Sequence, residues 1–220
     1  MLVEMIDLTG LPINKTLDVQ DRCWAERVYR DTTDKLIFAE HEPVYTAGVA
    51  AGQNLELLKK CFKKPLWDLP CQYIITQRGG LATYQGPGIL SVYCVFKIPD
   101  FNPQKFNDIL LSSAEEVLNF FDISSRRGVK NPGLYIGEDK KIVSVGLKYS
   151  RGVTRFGMAL SVEPDPFYLR SLIPCGFEGV RLTSLKEEVG RELDDLERVT
   201  IRAILLLKIS ELFEKITRSD

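Results

Sequence analysis

Cys175 is the residue whose type and setting best suit covalent chemistry. It lies in the run IPCGF, residues 173–177, between a proline that fixes φ and a glycine that frees the backbone. A cysteine on such a turn is more easily exposed than one inside a helix or strand, and its thiolate forms labile thioesters. The bland alternative is a buried, inert thiol, and Cys23, Cys71 and Cys94 suit that better because apolar or strand-like residues surround them. A nucleophilic cysteine commonly borrows a proton partner from histidine, and His41, in HEPVYTAG (residues 41–48), is the single histidine present. Nothing in the spacing sets it beside Cys175; a loop histidine at a pocket rim is the favoured reading.

Lys140 and Lys141 open the apolar run IVSVGL, residues 142–147. Alternation along a strand sends the two ammonium groups to opposite faces, so one can enter a pocket while the other stays solvated. A lysine taken out of water there becomes usable as a general base for a thiol and then as an acid for the leaving thiol. Spacing leaves the pair tied, and a plain strand-entry charge remains the ordinary explanation. The third feature is QRGGLATYQGPGIL, residues 77–90, where four glycines and a proline follow an arginine between two apparent strands. Such a loop allows close backbone approach to a ligand or forms an anion-holding nest, though a structural hairpin explains it equally simply. Its spacing matches neither common nucleotide-binding pattern.

The elements that must position these residues follow from period and punctuation. A polar-rich helix is expected over Asp18–Tyr29, and strands over Leu36–Ala39, Tyr73–Thr76, Ile89–Phe96, Leu134–Gly137, Ile142–Leu147 and Gly157–Val162. Asn102 and Pro103 read as the cap and first residue of an amphipathic helix running to about Phe121, and Thr200 as the cap of a last helix over about 200–217. The expectation is a mixed α/β (α+β) fold, one domain over residues 1–220, with that last helix packed on it. A content of 45% hydrophobic residues in 220 can bury a core, and 29 basic against 30 acidic residues give no global attraction to nucleic acid or an anionic membrane. Five scattered cysteines without a CxxC pair fit neither a disulfide framework nor a zinc site. The acidic start and the lack of a long apolar run predict a cytoplasmic protein with no membrane partner.

Taken in order, QRGGLATYQGPGIL, KKIVSVGLKYSRGVTRFGMALSV and PCGFEGV resemble the blocks of the lipoyl(octanoyl) transferases, and HEPVYTAG resembles that family's earlier loop. The likeness covers roughly residues 36–190. It implies a fold similar to the biotin/lipoate protein ligase catalytic domain, a mixed sheet flanked by helices. It also implies a Cys175 acyl-thioester with Lys141, rather than Lys140, as proton shuttle. Arg78, Gly79 and Gly80 look like the family's RGG turn, and Thr83, Tyr84, Gln85, Gly86, Pro87 and Gly88 like the loop lining its acyl pocket. The strand pair adds Ser144, Val145, Gly146, Gly157, Met158 and Ala159, with His41 nearby. Two positions depart from the pattern: Gln85 and Phe156 stand where the family has histidine.

The reaction so implied moves an octanoyl group from acyl carrier protein to a lipoyl-domain lysine, in 2-oxoacid dehydrogenase complexes or the glycine cleavage H protein. It needs no cofactor, ATP or metal, and a monomer is the expected state. Arg126, Arg127, Lys130, Lys148, Arg151 and Arg155 could form a basic rim that steers acidic partners, or simply a solvated surface. Two other readings compete. One is an ATP-dependent lipoate or biotin ligase of the same fold; the other is a noncatalytic protein that holds an acyl carrier or lipoyl domain.

Overall fold

Two strands are buried along their whole length, β2 (Asp34–Ala39), apolar from Leu36 onward, and β6 (Ile89–Val95). Continuous apolar runs of this kind mark strands covered on both sides. The structure, a computed structural model, describes residues 3–30, 32–129, 131–173 and 179–218. Around the two central strands stand β1 (Val3–Asp7), β7 (Arg126–Arg127), β8 (Gly133–Ile136), β9 (Lys140–Ser150) and β10 (Val153–Ser161), in the order β1-β2-β6-β10-β9-β8-β7. The sheet is mixed, since β1 runs parallel to β2 whereas β6 is antiparallel to β2 and β10. A two-residue strand, β11 (Arg181–Leu182), lies parallel to the first two residues of β9.

Helices cover both faces. Leu90, Val92 and Cys94 of β6, and Phe96 just beyond it, point toward α4 (Pro103–Phe120) and α7 (Asp195–Arg218), while Tyr93 and Val95 point toward α1 (Ile13–Tyr29). The core under α4 and α7 includes Phe106, Leu110, Val117, Leu205, Ile209 and Phe213, so the last helix packs as the apolar stripe requires. Asn102 caps α4 as expected, its side chain accepting from Gln104 and Lys105.

Several boundaries differ from the sequence expectation, each for a local reason. α7 begins at Asp195 because Asp194 and Glu197 make a reciprocal capping box: the Glu197 N–H donates to Asp194 Oδ1 at 2.8 Å and the Asp194 N–H to Glu197 Oε2 at 2.9 Å. Thr200 instead donates back to the Leu196 carbonyl from inside the helix. β9 and β10 extend toward each other through polar residues and join at a tight turn, where Arg151 and Gly152 both take positive φ. The HEPVYTAG and glycine-rich segments, expected as loops, each contain a short strand, β3 (Val44–Ala47) and β5 (Ala82–Gln85). With β4 (Tyr73–Ile75) they build a small sheet in the order β4-β3-β5. Between them come α2 (Val49–Gly52), α3 (Leu55–Lys59) and a 3₁₀ turn at Leu66–Asp68; α5 (Pro166–Leu169) and α6 (Leu185–Val189) follow β10. Among the described residues no helix is long and apolar enough to cross a membrane.

The capping box makes a specific forecast. Asp194→Ala should lower stability by about 1 kcal/mol, whereas Thr200→Ala should stay within about 0.5 kcal/mol. Urea unfolding of both variants measures this, and equal losses would contradict the assignment of the cap.

Candidate active site

A cavity of about 110 Å³ lies between the small sheet, the β9–β10 pair and α1. Its walls bring together Arg78, Gly80, Thr83, Gln85, Lys141, Ser144, Val145, Gly146, Gly157, Met158 and Ala159, eleven residues that sequence alone had pointed to. Phe156 lines it too. They come from three separated segments, and the sheet topology is what joins them: Ala159, Met158 and Gly157 of β10 lie opposite Ser144, Val145 and Gly146 of β9.

Lys141 is 2% exposed, while Lys140 turns outward to Glu188 at 2.7 Å. That is the alternation expected of a strand. Space for the Lys141 stem exists because residue 133 has no side chain. A Cβ on Gly133 would meet Lys141 Cε at 2.7 Å and the Val143 carbonyl at 2.2 Å, and its φ of +156° already favours glycine. Lys141 Nζ lies over the Tyr135 ring, 5.3 Å from its centre. β10 stops pairing at Val143, and β11 fills that edge, setting Leu182 opposite Lys141.

The glycine-rich segment is held by backbone contacts. Arg78 grips β3, its Nη2 donating to the Thr46 carbonyl at 2.6 Å and to Thr46 Oγ1 at 2.9 Å. The Gly79 N–H donates to the Leu147 carbonyl, which ties the turn to β9 without putting Gly79 in the cavity wall. Gly48 shows why the HEPVYTAG segment ends in glycine: a Cβ there would meet the Gly80 carbonyl at 2.2 Å and the Gly79 carbonyl at 2.8 Å.

Alternation divides the rest of the segment. Thr83 and Gln85 face the cavity, and Tyr84 turns the other way to stack on Tyr168 with ring centres 5.1 Å apart. Gly86 makes room for the Tyr84 ring, since a Cβ there would lie 2.1 Å from its hydroxyl. Tyr84, Pro87 and Gly88 line a second, open cleft instead. The Gly88 N–H donates to Glu40 Oε2 at 3.0 Å, and its carbonyl accepts from Val162 and Glu163. Tyr84, Gly86, Pro87 and Gly88 are thus not brought to the cavity.

The two departures from the histidine pattern both sit in the cavity wall. Gln85 is buried, with Oε1 accepting from the Ser91 hydroxyl at 2.5 Å. Phe156 adopts a φ of +60°, unusual for an aromatic residue, and its N–H donates to the buried Gln20 Oε1 at 2.7 Å. Its ring meets Tyr93 edge-on at 6.1 Å.

His41 lies behind Tyr93 rather than at a rim. It is 2% exposed, with Nε2 2.8 Å from the Tyr93 hydroxyl. Burial holds its imidazole down at about 4 and pushes the Tyr93 phenol up to about 12. Burial also pushes up the thiols of Cys23, Cys71 and Cys94, in keeping with inert cysteines. Cys175 lies outside the described residues. The chain before it is anchored at Ile173, whose N–H donates to the Cys61 carbonyl, and the chain after it at Thr183, whose N–H donates to the Lys141 carbonyl.

Sequence reasoning missed Ile13 and Leu17 of α1, Thr46, Thr76, Tyr93, Asn131 and Pro132 in the cavity wall. Only the helical spacing of Ile13 and Leu17 carried any signal. The expected basic rim does not form one free face. Arg127 is held by Asp108 and Glu115, Arg155 is buried against Asp21, and Arg126 donates to the carbonyls of Gly137 and Glu138. Lys148 donates to Gln77 and Arg151 to Tyr29; Lys130 lies outside the described residues.

A buried lysine in a cavity walled by a glycine-rich turn and two paired strands is matched by a known family: the lipoyl protein ligase A/B catalytic domain matches residues 12–204. An octanoyltransferase of Coxiella burnetii is 33% identical over 177 residues, 79% of this chain and 69% of that protein. One from Syntrophobacter fumaroxidans is 30% identical over 96% of this chain and 90% of its own length. A mitochondrial octanoyltransferase of Arabidopsis thaliana is 29% identical over 83% of this chain and 77% of its own. Among solved structures, the bi-partite lipoate protein ligase of Thermoplasma acidophilum superposes with a TM-score of 0.70 at 18% identity, over 97% of this chain and 84% of that one. Biotin protein ligase of Aquifex aeolicus gives 0.58 at 17% identity, over 96% and 71%. Those two show the shared fold. The chain belongs to the octanoyltransferases of the lipoyl protein ligase A/B family, enzymes of protein lipoylation.

Two outcomes test the site's construction. Gly133→Ala should cost about 1–3 kcal/mol by overpacking, more than Gly10→Ala, where a Cβ meets nothing and only the positive φ is strained. Thermal or urea melts of the pair decide it. For His41, the unfolded chain takes up a proton near pH 6.5 whereas the folded one refuses it until about pH 4. Stability present above pH 6.5 is therefore lost as pH falls toward 4, by roughly 3 kcal/mol. Urea titrations against His41→Gln, which lacks this proton, should diverge over that window; parallel curves would contradict a buried neutral imidazole.

Proposed function

We propose that the protein transfers an octanoyl group from acyl carrier protein to a lysine of a lipoyl domain through a thioester on Cys175, with Lys141 moving the proton. The observation that carries this reading is Lys141, buried in a cavity whose walls include the Gly80 turn and the paired glycines Gly146 and Gly157. A lysine aimed into such a cavity suits proton transfer better than surface recognition.

In the first half-reaction Lys141 accepts the Cys175 thiol proton, and the thiolate attacks the carbonyl of the octanoyl thioester. The carbon–sulfur bond to the carrier breaks, and Lys141 returns the proton to the departing carrier thiol. Exchange of one thioester for another is nearly isoenergetic, so orientation and stabilisation of the oxyanion dominate. The backbone N–H of Gly80 is a candidate donor, and Gln85 can contribute a pH-independent amide. In the second half-reaction the neutral amine of the acceptor lysine attacks the Cys175 thioester. An amide forms, and the Cys175 thiol leaves with a proton. The amide is more stable than the thioester, which makes transfer directional.

Phe156 and Met158 give the cavity an apolar wall suited to a saturated chain, and Arg78 acts through the shape of its loop. The acceptor is a lipoyl domain of a 2-oxoacid dehydrogenase complex or a glycine cleavage H protein, the working unit is a monomer, and the setting is the cytoplasm, whose reducing conditions keep Cys175 a thiol.

Incubation with octanoyl-acyl carrier protein, without ATP, followed by intact mass spectrometry tests the reading. One octanoyl group should add to the wild type and be absent from Cys175→Ala. Lys141→Ala should slow acylation by at least about 10²-fold. An adduct that persists in Cys175→Ala, or modification of the lipoyl domain that requires ATP, would refute the mechanism.

A further inference from the structure

The segment KKCFKKPLW, residues 59–67, places four lysines and a tryptophan in a chain whose net charge is −1. Lys59 is engaged by Glu56 at 2.7 Å. Lys60, Lys63 and Lys64 are exposed and make no ion pair among the described residues, and Trp67 is 88% exposed. Cys61 and Phe62, buried between the lysines, fix the segment in place. Phe62 bridges antiparallel to Leu172, the Lys63 N–H donates to the Ser171 carbonyl at 2.9 Å, and the Ile173 N–H donates to the Cys61 carbonyl at 2.8 Å. The lysine-bearing segment is thus hydrogen-bonded to Ser171 and Ile173, on either side of Leu172, in the stretch that precedes Cys175.

Beside them lies the second cleft, about 1220 Å³, with Lys63 and Arg170 in its wall. Arg170 is exposed and has no ion pair among the described residues. The cleft's other cations are satisfied: Arg181 by Glu187, Lys186 and Arg198 by Glu163, and Arg191 by Glu197. Of the nearby acids, Glu56 is taken by Lys59, whereas Asp68 and Asp165, the latter capping α5, are exposed and make no ion pair among the described residues. Four unpaired cations against two unpaired acids therefore leave an excess of positive charge at the edge that borders residues 171–173, just ahead of Cys175 in the chain.

We infer that Lys60, Lys63, Lys64, Arg170 and Trp67 form the docking surface for the acyl donor, an acidic carrier protein whose thioester hangs on a phosphodiester-linked arm. This rests on the Cys175 thioester reading above. The phosphodiester in the thioester arm, which the acceptor lysine lacks, sets the donor apart from the acceptor. The carrier brings an acidic surface and a phosphodiester close to its thioester, both attracted by a cationic edge. The acceptor brings a lysine amine, and a cationic edge raises the cost of holding that amine nearby. Trp67 offers the flat aromatic anchor common at the centre of protein interfaces, and the lysines accelerate encounter in a salt-dependent way.

The test compares the wild type with the charge-reversed triple variant Lys60→Glu, Lys63→Glu, Lys64→Glu and with Trp67→Ala, by the rate of Cys175 acylation. Two donors are used, octanoyl-acyl carrier protein and the small thioester octanoyl-N-acetylcysteamine. With the carrier, the triple variant should lose about 10–100-fold in kcat/KM, chiefly through KM, and most of its salt dependence; Trp67→Ala should lose about 10-fold. With the small thioester, and in transfer from the acylated enzyme to a lipoyl domain, both variants should stay within about twofold. Unchanged carrier kinetics, equal losses with both donors, or a loss confined to the lipoyl-domain step would overturn the assignment. A wild type acylated by neither donor would instead bring down the thioester reading itself.

Discussion

A lysine side chain kept at 2% exposure is the constraint around which the rest of this structure is arranged. Taking a lysine head group out of water is costly unless its surroundings compensate, and such a side chain returns to solvent if given room to do so. Here the room is denied. Lys141 belongs to a strand paired with β8 on one side and β11 on the other, so its backbone cannot rotate outward without breaking both ladders. Lys141 Nζ lies over the aromatic face of Tyr135, and the missing side chain at Gly133 admits the stem. β10 ends its pairing at Val143, which leaves the edge that β11 occupies. The segment that carries Cys175 is therefore tethered, on its downstream side, to the strand of Lys141.

The same logic explains which parts of the fold the sequence disclosed. Ile89–Val95 and Pro103–Phe120 were legible because burial on both faces, or on one helical stripe, imposes a period that composition displays. β3 and β5 were not. Each is four residues long, bounded by glycine or proline, and paired with a segment distant in sequence, so its existence depends on a partner that local composition does not name. The start of α7 was displaced for a different reason: Thr200 and Asp194 are both good caps, and the choice between them is made by Glu197, whose carboxylate closes the box only with Asp194.

For the site, chain-local features singled out residues but did not sort them. The glycine-rich run suggested a continuous pocket lining, and the structure divides it by strand alternation, with Thr83 and Gln85 facing one way and Tyr84 the other. His41 offered itself as a proton partner by type alone, yet it is buried behind Tyr93 as a neutral imidazole. The basic residues Arg127 and Arg155 suggested a steering surface, but their charges are consumed by Asp108, Glu115 and Asp21. Type and spacing identify groups capable of chemistry; only three-dimensional pairing tells which remain available for it.

The two histidine-to-other departures become intelligible together. A histidine in the cavity wall would titrate near neutrality and would need a partner in each protonation state. Gln85 does not titrate, and the Ser91 hydroxyl on the facing strand fixes its carbonyl oxygen, which orients the amide nitrogen as a donor whatever the pH. Phe156 substitutes apolar volume for a second polar ring and packs edge-on against Tyr93. With both changes, the cavity wall keeps one oriented donor while its remaining lining becomes more apolar.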